Sequence, residues 1–268
     1  MTGLTVQSPQ PGVALLVMDQ PGRLNALDQA MMRTLPGLLA SLSGDPEVRV
    51  IVLTGAGGAF SAGGDLAAIG ALPLMGHDEL EAEVEHYFQA SVLLHGMDKP
   101  TIAAVSGPAA GGALGLALAC DYRVGGRDAS FVCPFINMGI PPDYGLTWLL
   151  PRAVGHGPAL EMALTGRRVR ADEALTLGIV HRLCEDPLAD TLALAATIAS
   201  RSPSGVELTT RLMRESVSRD LSAGVRAEAQ VQRDLLHRAE FTELWSGWQS
   251  AVSGNGPGRA APPATTNV

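Results

Sequence analysis

Gly107-Pro108-Ala109-Ala110-Gly111-Gly112-Ala113-Leu114-Gly115-Leu116-Ala117-Leu118-Ala119-Cys120-Asp121 is the stretch on which the reading of this chain turns. It follows the apolar run Thr101 to Val105 and reads as a strand, a glycine-rich turn and the start of a helix. Gly112 then offers its main-chain N–H at the positive end of that helix, where the first amides have no internal partner and the peptide dipoles add. A glycine there also lets a ligand come close to the backbone. A second apolar strand, Val50 to Thr54, leads into Ala59-Phe60-Ser61-Ala62-Gly63-Gly64-Asp65-Leu66, which supplies another N–H at Gly64. Two such donors make an oxyanion hole, a place for a carbonyl oxygen that gains negative charge during reaction. Composition alone also fits a plainer role, in which the glycines only let a helix pack closely on a sheet.

Register decides between the two. Phe60-Ser61-Ala62-Gly63-Gly64-Asp65-Leu66, Lys99-Pro100-Thr101-Ile102-Ala103-Ala104-Val105-Ser106-Gly107 and Ala109-Ala110-Gly111-Gly112-Ala113 together resemble the crotonase superfamily, the enoyl-CoA hydratase/isomerase family, in register from about Ala14 to Thr210. The resemblance implies an α/β fold: a spiral core of ββα units over residues 1–197, then a helical C-terminal region over 198–253 that packs trimers together. It implies an acyl-CoA substrate, with Gly64 and Gly112 donating their N–H groups to the thioester oxygen. By the same resemblance Arg23-Leu24-Asn25-Ala26-Leu27 lies along the CoA, with Arg23 able to meet its phosphates and Ala26 beside it. Main-chain groups near Ala62 and Gly64 take the adenine amino group, and Asp65 and Leu66 complete the CoA-binding set. The substrate is carried as a CoA thioester, no permanently bound cofactor is expected, and the assembly expected is a homotrimer or a dimer of trimers.

The reaction is set elsewhere. An aimed N–H donor contributes roughly 3–4 kcal/mol to such a transition state, but an enolate becomes a product only where a proton carrier or nucleophile stands. Typical hydratases of the family carry two glutamates that share a water, and the matching positions here are Gly115 and Phe135, neither of which can carry a proton. Gly139-Ile140-Pro141-Pro142-Asp143-Tyr144-Gly145-Leu146-Thr147-Trp148-Leu149-Leu150-Pro151-Arg152 instead resembles the isomerase branch, where the residue matching Asp143 is the acid/base. The same position holds the nucleophilic aspartate of the 4-chlorobenzoyl-CoA dehalogenase branch, whose histidine position is Phe88 here. Pro-Pro-Asp-Tyr-Gly is also a sound turn sequence. The register favours function, and apolar Phe135, Ile140 and Trp148 are expected to raise the pKa of Asp143 by desolvation. The expectation is an enoyl-CoA isomerase; the alternatives are a hydratase or hydrolytic crotonase, and an acyl-CoA binder without activity.

The bulk properties exclude other classes. With 268 residues the chain suffices for one large domain or a core with a smaller appendage. A net charge of −8 and no cluster of Lys and Arg argue against nucleic acid. Cys120, Cys133 and Cys184 have no metal spacing and make no disulfide framework, which fits a reducing cytoplasm. Thr101 to Cys120 is uncharged over the length of a bilayer span, but Pro108 and its glycines suit a buried strand and helix better, so no membrane partner is expected. No signal peptide is visible in Met1 to Pro11. Gly55-Ala56-Gly57-Gly58 fails as a dinucleotide fingerprint because Phe60 stands where a small residue should.

Further along, Val13 to Met18 reads as a strand, and Asp28 caps a helix to about Ser43 that Pro36 should kink or split. Residues 67–76 read as a linker, His181 as a surface residue, and 77–94 as a helix; in the family this last segment borders the acyl pocket, so the resemblance makes Glu81, Glu85, His86 and His95 conceivable acid or base groups, although a solvated helical face accounts for each more simply. The Gly, Pro, Ala and Thr-rich stretch 254–268 lacks apolar periodicity and reads as disordered.

Overall fold

The computed structural model describes residues 3–252. In chain order the elements are β1 (Leu4–Gln10), β2 (Val13–Met18), α1 (Gln29–Gly44), β3 (Val50–Gly55), α2 (Leu66–Ala71), α3 (His77–Gly96), β4 (Thr101–Val105), β5 (Pro108–Ala110), α4 (Gly112–Ala119), β6 (Tyr122–Gly126) and β7 (Ser130–Val132). Then follow α5 (Leu146–Val154), α6 (His156–Thr165), β8 (Arg168–Arg170), α7 (Ala171–Leu177), β9 (Arg182–Cys184), α8 (Pro187–Ala199), α9 (Pro203–Glu215), α10 (Leu221–Leu236) and α11 (Ala239–Val252). The strands form a six-stranded sheet in the order β1-β2-β3-β4-β6-β9 and a three-stranded sheet in the order β5-β7-β8.

Strands β2, β3, β4, β6 and β9 run parallel, and the apolar runs of β2, β3 and β4 are what a sheet covered on both faces requires. Side chains alternate across that sheet. Val13, Leu15 and Val17 of β2 pack with Ala195 and Ala199 of α8 on one face. Ala14, Leu16 and Met18 point to the other face, into a larger core shared with Met31 and Leu35 of α1, Leu94 of α3 and Leu116 of α4. The uncharged stretch at Thr101 to Cys120 is therefore a buried strand and a buried helix, and α4 is buried at every residue. Among the described residues no helix is long and apolar enough to cross a membrane.

Three local expectations change. The edge strand β1 pairs antiparallel with β2 and has a register shift between Gln7 and Gln10; its mostly exposed side chains and Pro9 hide it from a reading based on apolar runs. Helix α1 is not split at Pro36 but runs through it, because Met31, Met32, Leu35, Leu39 and Leu42 bury one continuous face on both sides of the proline. The linker at 67–76 holds helix α2, where the Asp65 side chain accepts from the N–H groups of Ala67 and Ala68 at 3.1 and 3.0 Å, and a single 3-10 turn follows at Leu72–Leu74.

The chain packs as two compact units, one up to Glu207 and one from Leu208. That division falls after the 197/198 boundary read from the sequence. The second unit is helical, and its α11 carries a ladder of rings in which Phe241 stacks on Trp245 and Trp245 on Trp248. The tail 254–268 lies outside the described residues.

Candidate active site

Two short backbone bridges hold the glycine loops together. Leu27 donates its N–H to the Gly63 carbonyl at 2.8 Å and accepts from the Asp65 N–H at 3.0 Å. Gly64, lying between those two bonds, turns its own N–H and C=O away from Leu27. Ser61 and Ala109 pair in the same way: the Ser61 N–H donates to the Pro108 carbonyl at 2.9 Å and the Ala110 N–H to the Ser61 carbonyl at 3.1 Å. The loop bearing Gly64 is thus tied to the strand that leads into α4.

Side chains fix the same junction. Asn25 is fully buried with φ +55°, a conformation asparagine tolerates better than most residues. Its Nδ2 donates to the carbonyls of Ala56 and Ala59 at 2.8 and 2.7 Å, while its Oδ1 accepts from the Gln20 N–H at 2.8 Å. The Ser61 hydroxyl donates to the Asn25 carbonyl at 2.7 Å and accepts from the Gly63 N–H at 3.1 Å. Gly111, at φ +56° and ψ −128°, turns the chain from β5 into α4, a backbone shape that excludes most side chains. Gly112 is the first residue of α4, so its N–H belongs to the group without an intrahelical acceptor.

Gly64, Gly112 and Asp143 line one cavity of about 290 Å³, otherwise walled largely by apolar and aromatic side chains such as Ile69, Phe88 and Phe135. Asp143 sits just before a tight turn in which Tyr144 and Gly145 both take positive φ, at 48° and 75°. The Leu146 N–H closes it by donating to the Asp143 carbonyl at 2.9 Å, and α5 begins there. The Asp143 Oδ1 is buried and accepts no hydrogen bond among the described residues. Burial pushes its pKa up to about 7, against a small opposing contribution from its own main-chain amide. Burial, helped by the charge of Asp143, likewise pushes the Cys133 thiol up to about 11 and raises Tyr144. Asp143 is the one carboxylate on the cavity wall among the described residues.

Of the residues expected to bind CoA, Ala62 and Leu66 are exposed and line the cavity, whereas Ala26 is buried. Arg23 is exposed and paired with Asp65, with Asp28 at 4.0 Å, so its charge already stands at this rim. Asp65 both caps α2 and pairs with Arg23. Glu81, Glu85 and His86 are exposed and do not line the cavity; His86 Nε2 lies 2.9 Å from the Arg33 carbonyl. His95 instead packs edge-on against Trp148 in a separate apolar recess. His181 is exposed, as read from the sequence, but its ring stacks on Tyr122 and meets Arg123, and desolvation there together with the Arg123 charge pushes its pKa down to about 4.

Sequence reading passed over one polar cluster and one aromatic residue. Glu83 accepts from Arg33, Gln29 and the Tyr87 hydroxyl, joining α1 to α3 behind the cavity. Burial would raise Glu83, but these bonds outweigh it and hold the carboxyl below its usual value. The α1 partners lie about fifty residues from Glu83, and no short motif marks them. The aromatic residue is Tyr144, whose ring packs edge-on against Phe88. A Cβ built on Gly115 would stand 2.6 Å from the Tyr144 Cβ and 2.8 Å from its carbonyl oxygen, so no side chain fits at position 115 beside it.

Two parallel-strand-to-helix loops converging on an apolar cavity with one carboxylate define an α/β protein suited to holding an anion at main-chain amides. The chain belongs to the enoyl-CoA hydratase/isomerase family, the crotonase superfamily, whose model matches residues 8–250. It is 37% identical over 262 residues to a probable enoyl-CoA hydratase (echA12) of Mycobacterium bovis, covering 95% of this chain and 90% of the relative. A crotonyl-CoA hydratase of Syntrophomonas wolfei is 33% identical over 220 residues, covering 81% and 84%. The crystal structure of a probable enoyl-CoA hydratase/isomerase from Mycobacterium abscessus superposes with a TM-score of 0.83 at 36% identity, covering 92% and 96%. The fold is that of the crotonases, and the chain is an enzyme of the enoyl-CoA hydratase/isomerase type.

Proposed function

We propose that the enzyme is an enoyl-CoA isomerase that moves a double bond through a thioester enolate, with Asp143 as its single acid/base. The N–H groups of Gly64 and Gly112 receive the thioester oxygen and meet its charge as it develops. Asp143 takes a proton from the α-carbon and returns it two carbons away. The observation that carries this reading is the chemistry of the cavity wall: one desolvated carboxylate, and Gly115 and Phe135 where a two-carboxylate hydratase needs acids. A carboxyl with pKa about 7 is matched to both halves of the transfer near neutral pH. At the rim, Arg23, Ala26, Ala62, Gly64, Asp65 and Leu66 are assigned to the CoA, with Arg23 exchanging Asp65 for a phosphate.

Relatives named as hydratases support a second reading, addition of water with Asp143 as its base. The two part on a single measurement. A panel of enoyl-CoA thioesters incubated in heavy water and followed by mass spectrometry should gain deuterium without gaining the elements of water; rapid formation of 3-hydroxyacyl-CoA would sink the isomerase. We infer also that copies of the chain associate as a trimer or dimer of trimers, a reading supported by exposed Leu244, Trp245 and Trp248 on α11.

A further inference from the structure

In the family pattern a hydratase holds its water between two acids, one of which stands at the position of Gly115. Here that space is filled by protein. The Tyr144 main chain and Cβ occupy the room beside Gly115, and its ring lies over Gly112, where an added Cβ would be 2.7 Å from Cδ2. Phe88 packs edge-on against the ring, their centroids 5.2 Å apart and the planes at 65°. Tyr144 is kept there at a backbone conformation unfavourable for a bulky residue, φ +48°, followed at once by a glycine that also needs positive φ. Next to it the Asp143 Oδ1 is buried with no hydrogen-bond partner among the described residues. A water needs about 30 Å³ and two or more polar partners, and the phenol ring takes up several times that volume.

We propose that Tyr144 determines reaction specificity by occupying the volume in which a hydrating water would stand, so that the carboxylate beside it meets carbon-bound hydrogen only. This rests on the isomerase reading and adds the reason that water is kept out. Without the ring, a water bonded to Asp143 can give its proton to the carboxylate while its oxygen bonds the β-carbon. The electron pair of the double bond then moves onto the thioester oxygen, and Asp143 returns the proton to the α-carbon. One water is consumed and no other reactant is needed.

The test is the ratio of hydrated product to carbon-bound deuterium when the full-length enzyme acts on an enoyl-CoA thioester in heavy water. Tyr144→Gly and Tyr144→Asn both suit a left-handed backbone, so that a fold tolerating only one of them still allows the measurement. Retained deuterium exchange shows that the variant is folded and its carboxylate working. The expected result is a ratio raised about tenfold or more in either variant, with Tyr144→Phe, which keeps the ring, showing the parent's ratio. Unchanged ratios in active Gly and Asn variants of a non-hydrating parent would overturn the role of Tyr144 and leave the isomerase reading intact. A raised ratio in Tyr144→Phe would also overturn it, since the hydroxyl and not the ring volume would be at work. A parent that already hydrates would overturn both.

Discussion

The cavity has two walls made in different ways. One is main chain: Gly64 and Gly112 are set by backbone bridges, by the buried Asn25 and Ser61, and by the left-handed turn at Gly111. The other is a run of side chains, Phe135, Asp143 and Tyr144. A wall of amides can serve any reaction that puts charge on a thioester oxygen, whereas the facing wall selects among such reactions. The first wall carries the family pattern, and the reaction type proposed above rests on the second.

Asp143→Asn separates the walls most sharply. The main-chain wall is untouched, so CoA-ester affinity should stay near the parent's while the rate of carbon-bound deuterium exchange falls by about 10²–10⁴-fold. Steady-state exchange kinetics check both values, and a large loss of affinity would mean that the two walls are not separable.

Gly115→Glu asks whether the second wall can be converted by adding the missing acid. With Tyr144 already in that space the substitution should not create a hydratase. It should instead destabilise the protein by about 1–3 kcal/mol or more through overpacking, read as a lowered melting temperature. A stable variant that hydrates would show that the two positions can coexist.

The pH dependence of the Asp143 wall has a definite sign. Its folded pKa is raised to about 7 from 3.8, so the folded state holds a proton across that interval while the unfolded state has lost it. Stability from this group is fully present below about pH 4, declines as pH rises towards 7, and is flat above, a change on the order of a few kcal/mol. Asp143→Asn should therefore raise the melting temperature relative to the parent at pH 8 and do so much less at pH 4. Over the same interval the parent's proton-abstraction rate should fall as pH drops below about 7. A pH-independent difference in melting would mean that the carboxylate is solvated.

At the rim the effects are small. Arg23 is exposed and already paired, so Arg23→Ala should raise KM by about two- to fivefold with kcat nearly unchanged. A loss confined to kcat would move Arg23 from the CoA to the chemistry.

Legibility in the sequence follows the same division. Glycines required by close approach and unusual backbone shape leave a dense local pattern, so the strand, turn and helix around Gly112 could be read directly. Buried parallel strands, apolar along their length, were equally plain. Strand β1 was not, because an exposed edge strand has no apolar run, and α2 was not, because six residues are too short for a helical period to show. Asp143 was singled out through register and not through its neighbours, which look like any turn. Tyr144 escaped notice because its left-handed backbone and its overlap with the space at Gly115 arise only when residues about thirty apart meet.

The proposed relay through one shielded carboxyl can be followed with an isotope. A 3-enoyl-CoA thioester deuterated at its α-carbon should, in a single turnover in ordinary water, yield 2-enoyl-CoA retaining part of that deuterium at the γ-carbon, and Asp143→Asn should abolish the transfer. A product bearing only solvent hydrogen at that carbon, or one that has gained water, would contradict the account.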